Sequence, residues 1–76
     1  MDIKIYSTPT CPYCKMVKNY LSSKGIPYTD YDVSVNQVAL EEMTKQTGQM
    51  GVPVVVIGDQ VIIGFDQARI DALLKL

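Results

Sequence analysis

Cys11 and Cys14 are the only cysteines in a chain of 76 residues, separated by Pro12 and Tyr13. Thiol-disulfide exchange needs one accessible thiolate to attack and a second thiol close enough to resolve the mixed disulfide, and this spacing supplies both. Cys11 follows the turn-forming Ser7-Thr8-Pro9-Thr10, while Pro12 suits the first position of a helix. Unpaired N–H groups and the dipole at a helix start favour negative charge, so Cys11 is the expected nucleophile. Cys14 shares an i, i+3, i+7 stripe with Val17 and Leu21 and is the expected shielded, resolving thiol. Tyr13 presents an aromatic surface between the two sulfurs. Lys15 and Lys18 either bring positive charge toward the attacking sulfur or form a solvated helix face.

Other chemistries fit less well. Without histidine, Cys-His and Ser-His-Asp arrangements within one chain are excluded. Two sulfurs make half of a tetrahedral structural zinc site, so no metal site is expected in a single chain. A static bridge is the plainer alternative for the pair, but a lone CxxC beside a βαβ pattern in a reducing compartment reads as a redox pair. Seven basic and eight acidic residues give a net charge of −1 with no basic run, which argues against nucleic acid. No apolar run approaches the ~18 residues of a membrane helix. A cytoplasmic location, no membrane partner and a monomer are therefore expected.

The elements that must hold the motif follow from local pattern. Ile3 and Ile5 alternate with Asp2 and Lys4 in a first strand, and a helix runs from Pro12 to a stop at Gly25. Pro27 to Val33 alternates as an edge strand with its acids toward solvent. Ser34 and Gln37 suggest a capping box for a second helix, with a Glu41–Lys45 pair, Leu40 and Met43 facing the core and Gly48 closing it. The apolar run Val52–Ile57 predicts a buried central strand, Gly58-Asp59 a two-residue hairpin into Val61–Ile63, and Asp66 the cap of a last helix burying Ile70, Leu73 and Leu74. Phe65 stands where it could staple onto Ile70 across that cap. The order is β-α-β-α-β-β-α, an α/β fold in one domain over residues 1–76, with its first two strands parallel.

Three motifs at consistent separations resemble the glutaredoxins: Cys11-Pro12-Tyr13-Cys14, Thr47-Gly48 followed by Val52-Pro53, and Gly64-Phe65-Asp66. The resemblance implies a minimal thioredoxin fold with a four-stranded mixed sheet of order 2-1-3-4 and three helices. It implies a cis bond before Pro53, with the Val52 backbone offered to an extended thiol substrate. It further implies substrate or glutathione contacts from Tyr13, Val52, Pro53, Gly64, Phe65 and Asp66. The implied activity is a disulfide oxidoreductase for electron transport to protein or glutathione mixed disulfides. The resemblance also implies no permanently bound cofactor and glutathione as co-substrate.

Departures from the family pattern bear on that co-substrate. Thr8 stands where relatives carry a basic residue, Gly51 where they carry Thr, and Ile63-Gly64 where they carry Gly-Gly. Gly64-Phe65 is also similar to part of the Trp-Ser-Gly-Phe stretch of glutaredoxin-like donors to ribonucleotide reductase, which thioredoxin reductase recharges. The implied partners are thus disulfide-containing proteins, with glutathione or thioredoxin reductase as reductant. A glutathione-assisted [2Fe-2S] carrier using Cys11 of two chains is a further alternative, as is a redox-sensing module docking through Tyr13, Val52 and Phe65.

Overall fold

The alternation and apolar runs resolve into seven elements in a computed structural model that describes residues 2–49 and 51–74. They are β1 (Ile3–Ser7), α1 (Pro12–Ser23), β2 (Thr29–Asp32), α2 (Gln37–Thr47), β3 (Val54–Ile57), β4 (Gln60–Ile63) and α3 (Gln67–Leu74). The sheet runs β2-β1-β3-β4, with β1–β2 parallel and both other pairs antiparallel. This is the thioredoxin-like architecture implied by the motifs. No described helix is long and apolar enough to cross a membrane.

Strand alternation divides the core between the two sheet faces. Ile3, Ile5, Val55, Ile57 and Ile62 point to one face, where Val17 and Leu21 of α1 and Ile70 of α3 cover them. Tyr6, Val54 and Val56 point to the other, under Ala39 and Met43 of α2. Each fully buried aliphatic side chain contributes roughly 1.5–3 kcal/mol, so α1 is held by its stripe rather than by helix propensity. Leu73 and Leu74 add partly buried surface, as expected. Tyr6 is fully buried and stacks on Tyr31, with its hydroxyl turned to Glu42. Burial and the Glu42 carboxylate hold that phenol above its usual range.

Several boundaries differ from the local reading. β1 extends through Ser7 because parallel pairing sets Ser7 opposite Asp32 and its carbonyl accepts the Val33 N–H at 2.9 Å. β3 starts at Val54, after the Val52–Pro53 peptide, which is cis. β2 is shorter than Pro27–Val33, and its acids are not simply solvent-facing: Asp30 turns toward α1 and receives the Ser7 hydroxyl at 2.7 Å. The Ser34 capping box does not form. Asp32 takes the Ser34 N–H, and Asn36 becomes the N-cap by accepting the Ala39 N–H at 3.0 Å. Leu40 is half-buried at the edge of its cluster, and Ala39 is the buried neighbour. The Glu41–Lys45 pair is absent, since Lys18–Asp30 is the only salt bridge among the described residues.

The Gly58-Asp59 hairpin forms as expected, with Ile57 paired to Gln60. Its φ of 61° at Gly58 is a conformation that glycine adopts without a Cβ penalty.

Candidate redox site

Cys11 is the N-cap of α1, with φ −88° and ψ 113°, so its side chain folds back over the first turn. Its Sγ accepts the Cys14 N–H at 3.3 Å and lies 3.9 Å from the Val52 carbonyl oxygen. Pro12 occupies the first turn, where its missing N–H costs nothing. Cys11 is partly exposed, whereas Cys14 is fully buried, and both are free thiols.

The two sulfurs therefore sit in different environments although one helical turn separates them. Burial pushes the Cys14 thiol up from 9.0 to about 11, aided by its hydrogen bond with Cys11 and by charge there. The Thr8 backbone and the Lys18 ammonium act in the opposite direction. In this reduced state Cys14 is a protonated thiol at neutral pH.

The Val52–Pro53 segment reaches the motif, and the segment before α3 is tied to it in turn. The Gly64 N–H donates to the Pro53 carbonyl at 2.8 Å, which fixes the start of the α3 loop against the Val52–Pro53 segment. Gly64 has φ 80°, a left-handed conformation that side chains rarely adopt. Pro53 is buried and Val52 half-buried, while Tyr13 is 60% exposed with its ring in solvent.

Phe65 and Asp66 follow Gly64 at the entrance to α3. Phe65 is half-buried against the cluster that contains Ile70, and its ring tilts onto Tyr20 at 5.8 Å. Asp66 caps α3 by accepting the Arg69 N–H at 3.2 Å and is otherwise exposed.

The two lysines stand in different settings. Lys15 is exposed. Lys18 reaches Asp30 at 3.1 Å and Ser7 at 3.4 Å, and its charge favours the Cys14 thiolate. Ser7 and Asp30 were not singled out by local pattern. The available signal was an acid, Asp30, inside a strand whose neighbours pack on both faces.

A glutaredoxin family model matches residues 3–62. An uncharacterized glutaredoxin-like 8.6 kDa protein in the rubredoxin operon of Clostridium pasteurianum is 49% identical over 73 residues, covering 96% of this chain and 97% of its own. Glutaredoxin 3 of Escherichia coli K12 is 37% identical over 81 residues, covering 97% and 98% respectively. The solved structure of NrdH-redoxin from Escherichia coli, described as a glutaredoxin-like protein with a thioredoxin-like activity profile, matches with a TM-score of 0.82 at 29% identity, covering 100% of this chain and 95% of that one.

Proposed function

The chain belongs to the glutaredoxin family, and from that premise we propose that it reduces protein or glutathione mixed disulfides with Cys11 as nucleophile and Cys14 as resolving thiol. The observation that carries this reading is the contrast within one turn: a partly exposed sulfur that receives a backbone N–H, followed by a fully buried one.

The chemistry proceeds by two exchanges. The Cys11 thiolate attacks one sulfur of the substrate disulfide, forming a mixed disulfide and releasing the first substrate thiolate, which takes up a proton. Cys14 then loses its proton and attacks Cys11 Sγ, releasing the second substrate thiol and leaving a Cys11–Cys14 disulfide. Two electrons pass from the cysteine pair to the substrate, and two external thiols, or one external dithiol, restore the pair and leave as a disulfide. Once Cys11 is tied up in a disulfide, its anionic charge and its hydrogen bond no longer raise the Cys14 thiol. The first exchange thus prepares the second.

Glutathione is the preferred reductant, with Tyr13, Val52, Pro53, Gly64, Phe65 and Asp66 as its binding residues. Recharging by thioredoxin reductase is the second reading, favoured by Thr8 and Gly51 at the positions where a cation and a hydroxyl would serve glutathione, and by the likeness to NrdH-redoxin. Turnover of an insulin disulfide substrate with glutathione plus glutathione reductase, set against turnover with thioredoxin reductase, decides between them. Turnover that survives Cys11→Ser overturns both.

A further inference from the structure

Lys18 follows Cys14 by four positions, so the two side chains share one face of α1. Its ammonium lies 3.1 Å from Asp30 Oδ2 and 3.4 Å from Ser7 Oγ, and the Ser7 hydroxyl donates to Asp30 Oδ1 at 2.7 Å. Ser7 is only 2% exposed, and the Lys18 and Asp30 side chains are 24% and 37% exposed. Ile3 and Ile5 point to the α1 face, alternation sends Ser7 the same way, and the parallel register sets Asp30 beside Ile5. Three elements thus converge to fix one ammonium a single turn below the buried thiol. Exposed ion pairs contribute at most about 1 kcal/mol, so stability alone gives little reason for the arrangement.

We propose that Lys18, held by Asp30 and Ser7, is a positioning residue for the resolving step: its fixed ammonium stabilises the thiolate that Cys14 becomes as it attacks the mixed disulfide. The inference rests on the exchange chemistry proposed above. In that step Cys14 gives its proton to solvent, the Cys14–Cys11 bond forms, the Cys11–substrate bond breaks, and the departing thiolate takes up a proton. Lys18 keeps its own proton throughout.

The surroundings leave this task to Lys18. Elements packed around α1 also carry Lys4, Asp32, Arg69 and Asp71, the last occupied by the Tyr20 hydroxyl, but the charges that act on Cys14 are those of Cys11 and Lys18. Lys15 is exposed on α1, and α2 lies across the sheet. When Cys11 enters a mixed disulfide its charge vanishes, leaving the Lys18 ammonium, offset in part by the Asp30 carboxylate 3.1 Å from it.

The test follows the second half of the reaction. Reduced protein mixed with 5,5′-dithiobis(2-nitrobenzoate) releases one equivalent of thionitrobenzoate when Cys11 attacks and a second when Cys14 resolves. The rate of the second release is measured against pH. Lys18→Met raises its pH midpoint. Each unit of that rise lowers the thiolate fraction at neutral pH about tenfold, while the more basic thiolate regains about threefold in nucleophilicity, a net slowing of about threefold. Asp30→Asn keeps an oxygen to hold the ammonium but removes the counter-charge, which lowers the midpoint, while Lys18→Arg keeps it near wild type.

Opposite shifts from two variants that break the same ion pair distinguish charge from loosened packing. Shifts in the same direction, or an unmoved midpoint in Lys18→Met, overturn the assignment of Lys18. A wild-type protein that releases no second equivalent, or a Cys14→Ser variant that still does, overturns the exchange reading instead.

Discussion

Two helix entrances in this protein solve the same problem with different atoms. At α2, Asn36 adopts φ −108° and ψ 96° and its side-chain oxygen accepts the Ala39 N–H at 3.0 Å. At α1, Cys11 adopts nearly the same backbone and its sulfur accepts the Cys14 N–H at 3.3 Å. An amide oxygen is a strong acceptor and a good cap, whereas a neutral thiol is a weak one. A thiolate changes that balance, because the helix terminus favours an anion. The α2 cap therefore serves folding, and the α1 cap places the same backbone geometry behind a reactive sulfur.

The comparison is broken most forcefully at Cys11. Cys11→Ser keeps a competent N-cap, so thermal stability is retained while disulfide turnover is eliminated, as an insulin-reduction assay and a melting curve measure together. A loss of folding along with turnover would show that the sulfur serves structure as well.

The next effect lies one turn further in. Because the folded Cys14 thiol titrates above the unfolded one, its contribution to stability is fully present below about pH 9 and is lost as the pH rises through about 11. The reduced protein should lose about 2–3 kcal/mol over that window relative to Cys14→Ser, read from denaturant unfolding at several pH values. Parallel pH profiles for the two proteins would contradict the burial assigned to Cys14.

Asn36→Ala removes the purely structural cap and should cost about 1 kcal/mol in urea unfolding, with turnover per folded molecule unchanged. Altered turnover would mean that the two helix entrances are coupled across the sheet.

The smallest effect is expected at the third cap. Asp66→Asn preserves the acceptor for the Arg69 N–H, so stability should hold within about 0.5 kcal/mol. If Asp66 also holds glutathione, the same change raises KM for a glutathionylated substrate a few-fold and leaves turnover with thioredoxin reductase untouched.

Most of the architecture was legible because it is written in local periodicity. The stripe Cys14–Val17–Leu21, the Val52–Ile57 run and the Gly58-Asp59 turn each carry a signal within ten residues. The competition between Ser34 and Asn36 for the α2 cap was not legible, since both are good caps and the winner was set by Asp32 capturing Ser34. The burial of Tyr6 was hidden for a different reason: a phenol in a strand reads equally as edge or core until the face it shares with Tyr31 and α2 is known.

What the sequence by itself determined is the pair of sulfurs, their order along a helix start, and hence which is presented and which is shielded. Those properties follow from spacing and helical period alone. Only the tertiary structure decided what surrounds them. It brings the Val52 carbonyl to Cys11 from across the chain, ties Gly64 to Pro53, and gathers Lys18, Asp30 and Ser7 from three elements on the α1 face. The parallel pairing of β1 with β2 followed from the order of elements, but the register that sets Asp30 beside Ile5 and so creates that last cluster leaves no trace in the local pattern of either strand.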